Sequence, residues 1–151
     1  MVLSLADRIP DGSSVLIDTN PLVYLLEASP LAEPFEPVFA AIDAGRIEAV
    51  TTPITLAEVV TGPLQSGQEA LARQYSRLLT ATPGWRLQDI DAEIAMVAAR
   101  LRARHRLKLP DAIQVAAALQ TGCHALLTHD RDFGNVREIL ILGTEAKRSR
   151  R

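Results

Sequence analysis

The amino-acid sequence predicts an α/β fold, in which a central, mostly parallel sheet is flanked by helices on both faces. Short runs of aliphatic residues alternate with longer segments of helical periodicity along the chain. Strands that are buried on both faces read as continuous aliphatic runs, and helices are the usual connections between parallel strands. Ligands of such sheets collect beyond the carboxyl ends of the strands, so polar residues at those ends are candidates for a functional site.

Length and composition support one domain with an aliphatic core. The chain has 151 residues, of which 48% are hydrophobic but only 4% aromatic, so Leu, Ile, Val and Ala must fill the interior. No apolar run approaches the roughly 18 residues of a membrane-spanning helix. Asp7, Arg8 and Asp11 interrupt any signal-peptide core, so we expect a cytoplasmic protein with no membrane partner. The single cysteine, Cys123, excludes an intrachain disulfide.

The first half of the chain contains two predicted strands and four predicted helices. The Asn20-Pro21 pair opens the first helix, because proline is favoured in a first turn, and Gly45 ends the second. The breakers Gly62-Pro63 and Gly67 predict an interruption between the third and fourth helices. In chain order we predict a strand at 14–17, helices at 21–28 and 35–44, a strand at 47–51, and helices at 53–61 and 68–81.

The second half contains three predicted strands and two predicted helices. Asp91 is a suitable N-cap for the first of these helices, and Gly122 follows the end of the second, which begins at Pro110. The first helix has apolar residues at the spacing i, i+3, i+4 and i+7, namely Ile94, Val97, Ala98 and Leu101. We predict a strand at 85–90, this helix after Asp91, a helix at 110–120, and strands at 124–127 and 138–142.

Positive charge is concentrated in two short segments, although the net charge is -2. The segments contain nine of the sixteen Lys and Arg residues: Arg100, Arg102, Arg104, Arg106 and Lys108, then Lys147, Arg148, Arg150 and Arg151. This asymmetry could place a basic surface beside an acidic site, as an enzyme acting on a polyanion requires. A solvated helix face explains the first segment equally well, and a frayed tail explains the second better.

We predict an N-terminal extension at 1–13, one domain at 14–142 and a basic C-terminal tail at 143–151.

Four carboxylates stand at the ends of predicted elements or beside apolar sequence, and they could form one acidic metal site. Asp18 and Asp130 each follow a predicted strand, Asp111 stands at a helix start, and Glu58 lies within an apolar helical segment. A carboxylate anchored beside hydrophobic sequence is costly unless it is solvated, paired or bound to a cation. Ligands that are all oxygen atoms suit Mg²⁺ or Mn²⁺.

Two of these carboxylates have a purely structural explanation that the local sequence leaves open. Asp18, Thr19 and Asn20 could form an Asx-type turn, because their side chains bond readily to nearby backbone. Asp111 would be electrostatically favourable at the N-terminus of any helix. By itself, Asp111 therefore carries little information about function.

Glu58 has two competing interpretations. The spacing Thr55-x-x-Glu58 is a capping-box pattern, in which the glutamate would satisfy a helix N-terminus. Thr52 followed by Pro53 instead fits an N-cap and a first helical residue, which would place Glu58 beyond the first turn with a free carboxylate. The second interpretation is favoured.

Asp130 and Asp132 compete for one role after the fourth predicted strand. Asp130 is closer to the strand end, whereas Asp132, beside Phe133, could cap the next turn, so we favour Asp130. Thr128 and Asn20 would then be neighbours able to hold carboxylates or water by hydrogen bonds. A zinc site is not indicated by Cys123, His124 and His129, because they lack the usual four-ligand spacing.

Four segments resemble the acidic motifs of PIN-domain ribonucleases, and most closely those of VapC-type toxins. They are Leu16-Ile17-Asp18-Thr19-Asn20, Ile54-Thr55-Leu56-Ala57-Glu58, Leu109-Pro110-Asp111-Ala112-Ile113 and Leu127-Thr128-His129-Asp130-Arg131-Asp132-Phe133. They occur in the family order and cover about residues 14–142. A departure is Pro21, which stands where the family more often has an aliphatic residue.

The resemblance implies a PIN-like fold and a metal-dependent endoribonuclease that uses Mg²⁺ or Mn²⁺. It assigns the acidic quartet to Asp18, Glu58, Asp111 and Asp130. By this interpretation Asp18 and Asp111 are direct metal ligands, and the other two orient water or a second ion. Supporting roles fall to Thr19, Asn20, Thr128 and Asp132. Separately, the basic segment from Arg100 to Lys108 predicts that Arg102, Arg104 and Arg106 contact the RNA backbone.

The resemblance also implies partners. VapC-type toxins form homodimers and are inhibited by an antitoxin whose C-terminal segment lies in a groove near the active site. Suitable apolar residues on the predicted helices include Leu22, Tyr24, Leu25, Leu64 and Tyr75, although at least half of them are expected in the core. Two alternatives stay open: a PIN-like module that binds RNA or protein without cutting, and an RNA-processing nuclease without an antitoxin.

Overall fold

Five parallel strands form the centre of the computed structural model, which describes residues 3–145. The strands are β1 (Ser14–Ile17), β2 (Glu48–Thr51), β3 (Trp85–Leu87), β4 (Ala125–Leu127) and β5 (Leu140–Leu142). They lie side by side in the order β3-β2-β1-β4-β5, and all four neighbouring pairs are parallel. The predicted sheet is therefore confirmed. The basic residues of the predicted C-terminal tail, Lys147, Arg148, Arg150 and Arg151, lie outside the described residues.

Six α-helices connect the strands within the described part of the chain. They are α1 (Thr19–Leu26), α2 (Glu36–Asp43), α3 (Pro53–Gln65), α4 (Glu69–Ala81), α5 (Ala92–His105) and α6 (Leu109–Gln120). Short 3₁₀ helices at Leu5–Arg8, Pro30–Phe35 and Arg131–Phe133 were missed, because segments this short have no readable periodicity. None of the helices in residues 3–145 combines the length and the apolar character needed to cross a membrane.

The sheet separates two hydrophobic layers. Successive side chains point to opposite faces of a strand, so Val15 and Ile17 of β1 face one layer and Leu16 faces the other. The first layer contains residues of α1 and α2, and the second contains residues of α5 and α6. Helices therefore cover both faces, which explains why the strands are continuous aliphatic runs.

The predicted break at Gly62-Pro63 is wrong. Helix α3 continues through both residues to Gln65. Pro63 lacks the N–H that would bond to the carbonyl oxygen of Val59, but the packing of α3 against α1 and α4 keeps the turn helical. The helix ends at Gln65 with Ser66 as its C-cap, and the next residue, Gly67, has a φ of 72°, the left-handed conformation that glycine adopts without strain.

Part of the predicted N-terminal extension packs against the domain. Ala6 and Ile9 are buried in the first layer. The guanidinium of Arg46 donates to the carbonyl oxygens of Ala6 and Ile9, at 3.3 and 3.4 Å. These contacts attach the segment to the connection between α2 and β2.

The strand order reverses between β1 and β4, and this point positions the candidate site. From β1 the chain proceeds to β2 and β3 on one side, and β4 and β5 lie on the other. In open α/β sheets, ligands bind at such a switch point, beyond the carboxyl ends of the strands. The backbone N–H of Asp18 donates to the carbonyl oxygen of Leu127 at 2.9 Å. Asp18 and the segment after β4 are therefore fixed side by side.

Candidate functional site

Asp18 is the most enclosed of the predicted carboxylates. It precedes α1 directly and is only 7% exposed. Its side chain makes no capping hydrogen bond to α1, so the Asx-turn explanation fails. The two carboxylate oxygens instead accept from Gln114 Nε2 at 3.1 Å and from Thr128 Oγ1 at 2.7 Å. Each oxygen retains a second acceptor site, which is the capacity a cation needs.

Asp111 lies in the first turn of α6 and is half-buried. Burial, together with the nearby charges of Asp18, Asp130 and Asp132, raises the pKa of Asp111 to about 6, against an opposing effect of Lys108. The raised pKa means that the metal-free site resists holding all of its negative charge. A divalent cation would remove that resistance.

Asp130 and Asp132 both lie close to Asp111, although the sequence suggested that only one of them would have a role at the site. One carboxylate oxygen from each of the three residues lies within 4.8 Å of the others. The side chain of Asp130 caps the 3₁₀ helix Arg131–Phe133 by accepting from the backbone N–H of Asp132 at 2.8 Å. The capping role considered for Asp132 therefore belongs to Asp130, and Asp132 is free to add its carboxylate to the group.

Glu58 is exposed and is linked to the site through hydroxyl groups. Helix α3 begins after Thr52 with Pro53 as its first residue, so the capping-box interpretation of Glu58 is wrong. Thr19 Oγ1 donates to Glu58 Oε1 at 2.7 Å and lies 3.2 Å from Thr55 Oγ1. These bonds connect α1 to α3 beside Asp18.

Gln114 is the residue that sequence reasoning missed. It is only 1% exposed, and its Nε2 donates to Asp18 Oδ1 and, at 2.8 Å, to Thr55 Oγ1. Its Oε1 accepts from Thr52 Oγ1 at 2.7 Å. The available signal was a lone polar residue, one helical turn after Asp111, inside the otherwise apolar run of α6.

Thr128 and Asn20 hold the segment after β4 in place. Thr128 Oγ1 donates to Asp18 and accepts from the backbone N–H of Asp130 at 3.0 Å. Asn20 Oδ1 accepts from the backbone N–H of His129 at 3.1 Å. The ring of His129 is buried, with Nδ1 3.1 Å from the hydroxyl of Tyr24. This loop is therefore fastened at three consecutive residues.

The three arginines predicted to contact RNA have different surroundings in the structure. Arg102 Nε donates to the carbonyl oxygen of Leu107 at 3.2 Å, and Arg104 pairs with Glu138. Arg106 lies at the C-cap of α5 and lines an open cleft beside Asp111. Of the three, Arg106 is therefore the one that shares a cleft with Asp111 and Asp132.

Comparison with known proteins agrees with this architecture. The family model of the PIN domain matches residues 15–139. Among solved structures, a toxin-antitoxin complex from Klebsiella pneumoniae is 28% identical, with a TM-score of 0.63 over 83% of this chain and 95% of that one. VapBC2 from Rickettsia felis, bound to a DNA fragment from its promoter, is 15% identical with a TM-score of 0.67, over 85% and 96% of the two chains.

A further structural neighbour is VapC20 of Mycobacterium tuberculosis, described as a Sarcin-Ricin loop cleaving toxin. It is 15% identical, with a TM-score of 0.64 over 83% of this chain and 98% of that one. No curated protein matches the chain significantly by sequence. Since the family model covers most of the chain and the fold agrees with it, this protein belongs to the PIN domain family.

Proposed function

We propose that this protein is a metal-dependent endoribonuclease and the toxin of a toxin-antitoxin pair. The observation that carries the proposal is the grouping of Asp111, Asp130 and Asp132, next to Asp18, at the carboxyl ends of β1 and β4. Membership of the PIN family supports nuclease chemistry. The neighbours from Klebsiella, Rickettsia and Mycobacterium, two of them toxin-antitoxin complexes and one an RNA-cleaving toxin, support the toxin role.

The chemistry of the donor set fits Mg²⁺ or Mn²⁺. The candidate ligand groups that converge on the site are all carboxylates, and hard divalent cations prefer oxygen ligands. Asp18 and Asp111 would hold the ion directly. The carboxylates of Asp130 and Asp132 would add negative charge that balances the charge of the ion. When bound, the ion supplies water activation and neutralises charge that develops on the phosphate.

The protein's own residues would orient the reacting groups. Gln114 and Thr128 fix both oxygens of Asp18, so the carboxylate cannot rotate away from the site. Thr19 holds Glu58 at the exposed edge, where its free oxygen would orient water. No side-chain nucleophile is required by this scheme, because water attacks the phosphodiester bond.

The purified protein is expected to cleave single-stranded RNA in Mg²⁺ or Mn²⁺ and to lose this activity in excess chelator, because four carboxylates without a cation repel a phosphate. The measurement is cleavage of a labelled RNA on a denaturing gel, with recovery after metal is added back. An Asp111→Asn variant purified in parallel controls for contaminating ribonuclease. Cleavage that persists in chelator would refute the metal mechanism.

An apolar groove beside Glu58 supports an antitoxin partner. The groove, of about 340 Å³, lies between α1, α3 and α4, and its apolar lining includes Val23, Leu26, Leu71 and Tyr75. Of the other residues expected to contribute, Leu22 is in the core, whereas Leu25 and Leu64 are exposed. We propose that an amphipathic segment of the antitoxin occupies the groove and directs a basic side chain to Glu58.

The variant Leu71→Arg is expected to prevent copurification of the antitoxin when the two proteins are coexpressed, because it places a charge in the groove. RNA cleavage by the variant alone is expected to be retained. The matched control is Met96→Arg, a change of an exposed apolar residue on α5, which covers the opposite face of the sheet. Equal antitoxin retention by both variants would place the partner elsewhere.

We also propose a homodimer, for which light scattering would give a mass near twice 16.4 kDa.

A further inference from the structure

A second cavity also lies beside the carboxylates, but it is formed by different parts of the fold from the apolar groove. It has a volume of about 520 Å³, and it shares no lining residue with the apolar groove. Asp111 and Asp132 line it, together with the cations Arg106, Lys108 and Arg131. We call this cavity the basic cleft. The acidic site is thus bordered by an apolar groove at Glu58 and by the basic cleft at Asp111.

The connection between α5 and α6 anchors the backbone that carries two of these cations. Leu107 is buried in the second hydrophobic layer, and its carbonyl oxygen accepts from Arg102 Nε. The residues on either side of this anchor, Arg106 and Lys108, are exposed and line the cleft. The short connection therefore places a positive charge on each side of one buried leucine.

Arg106 occupies a backbone conformation that normally favours glycine. Its φ of 56° and ψ of 35° are left-handed, and at this C-cap position glycine would avoid the strain. The left-handed residue ends α5 and turns the chain towards α6, which places Arg106 in the lining of the cleft.

The lining of the basic cleft indicates a ligand recognised by charge. Among the described residues that line it, the one aromatic ring is the imidazole of His105, which is only 11% exposed and bonds to Glu138, so bases have little aromatic surface on which to stack. Lys108 Nζ lies 3.8 Å from Asp132 Oδ2, but the two side chains are 79% and 58% exposed, so this pair is weak and Lys108 can turn to another anion. Cations without aromatic partners suit backbone phosphates.

We propose that the basic cleft binds the phosphates of single-stranded RNA that adjoin the bond to be cut. This inference rests on the proposed nuclease function and specifies how its substrate lies. Arg106, Lys108 and Arg131 would contact successive backbone phosphates, while the carboxylates at the end of the cleft address the scissile one. Because phosphates carry no sequence information, this contact positions the RNA but does not select it.

The test is the binding of a fluorescein-labelled single-stranded RNA in an Asp18→Asn background, measured at several salt concentrations. Asp18 lies outside the lining of the cleft, so the background is expected to lose cleavage while the three cations of the cleft stay in place. Each of Arg106→Gln, Lys108→Gln and Arg131→Gln is expected to reduce the slope of log affinity against log salt by about 0.7. At 0.1 M salt this corresponds to about fivefold weaker binding for each lost contact.

Two controls make the result decisive. Arg77→Gln on α4, outside the cleft, is expected to leave both affinity and salt slope unchanged. In the otherwise native chain, the cleft variants are expected to raise KM with little effect on kcat. Arg106 and Arg131 belong to different segments, so unfolding of one variant, detected by its melting temperature, leaves the other as the test.

The inference and the nuclease function can fail separately. Unchanged slopes in all three variants of a chain that still cleaves RNA would overturn the basic cleft. Equal reductions of the salt slope in Arg102→Gln and Arg104→Gln would overturn it as well, because they would place the RNA on the surface of α5. Reduced slopes in a chain that never cleaves RNA would support the cleft and refute the nuclease.

Discussion

Replacing Asp111 by asparagine is expected to abolish RNA cleavage while making the metal-free protein more stable. The substitution removes a metal ligand, so cleavage should fall by roughly a thousandfold, equivalent to about 4 kcal/mol of transition-state stabilisation. It also removes one negative charge from a half-buried group of carboxylates. The two effects have opposite signs, and together they distinguish a metal ligand from a structural cap.

The stability gain has a defined dependence on pH. The pKa of Asp111 is raised from its ordinary value of 3.8 to about 6 in the folded protein. The folded state therefore binds more protons than the unfolded state between these values, and stability falls as pH rises from about 4 to 6. Above pH 6 the native protein carries the full penalty, whereas the Asp111→Asn variant does not. Below pH 4 the two proteins should have the same stability with respect to this group.

The size of the gain is modest because the group is partly solvated. After allowance for solvent screening, and for the lost interaction of Asp111 with the α6 dipole, we expect roughly 1 kcal/mol. This corresponds to a rise in melting temperature of about 2–4 °C at pH 7.5, measured by calorimetry in chelator. Added Mg²⁺ should stabilise the native protein but not the variant. A melting temperature that falls at pH 7.5 would show that Asp111 is structural.

Asp18→Asn provides a contrasting control. Both oxygens of Asp18 accept hydrogen bonds from Gln114 and Thr128, so the new amide nitrogen would face a donor. The variant should also lose cleavage, but its metal-free melting temperature should fall. The hydrogen-bond partners of Asp18 are what separate the two substitutions.

The sequence predicted the layers of the fold because the layers depend on simple patterns. Continuous aliphatic runs such as Val15-Leu16-Ile17 identified buried strands, and the apolar spacing of α5 identified its buried face. It failed at Gly62-Pro63, because the packing of α3 against α1 and α4 overrides the local preference against proline in a helix. Local breaker rules do not include the packing that keeps such a turn helical.

The candidate site was predictable where carboxylates follow strands and not where neutral groups hold them. Asp18 and Asp130 could be placed near each other because the carboxyl ends of parallel strands share one edge of the sheet. The exchange of roles between Asp130 and Asp132 could not be predicted, because it depends on the turn at Arg131–Phe133. Gln114 was missed because a single polar residue in an apolar helix has many possible partners.

Gln114→Leu is therefore the most informative change outside the carboxylates. Leucine fills similar space but deprives Asp18, Thr52 and Thr55 of a hydrogen-bond partner in a site that excludes water. Leaving buried polar groups unsatisfied should cost roughly 2–4 kcal/mol. At about 2–4 °C per kcal/mol, the melting temperature should fall by roughly 5–15 °C. The matched control is Thr51→Val, because Thr51 Oγ1 is buried and has no hydrogen-bond partner within residues 3–145.

A loss of stability alone would leave Gln114 as a packing residue, so the decisive measurement is metal affinity. Gln114 Nε2 holds the Asp18 oxygen that faces α6, and loss of such an orienting partner typically weakens metal binding by roughly 10- to 100-fold. Mn²⁺ titration at a temperature where the variant is fully folded should detect this weakening, whereas Thr51→Val should bind Mn²⁺ like the native protein. If Gln114→Leu is destabilised but binds Mn²⁺ with native affinity, then Asp18 does not need Gln114 to orient it. Weakened Mn²⁺ affinity would mean that the functional site includes the buried amide of Gln114 on α6 as well as the carboxylates.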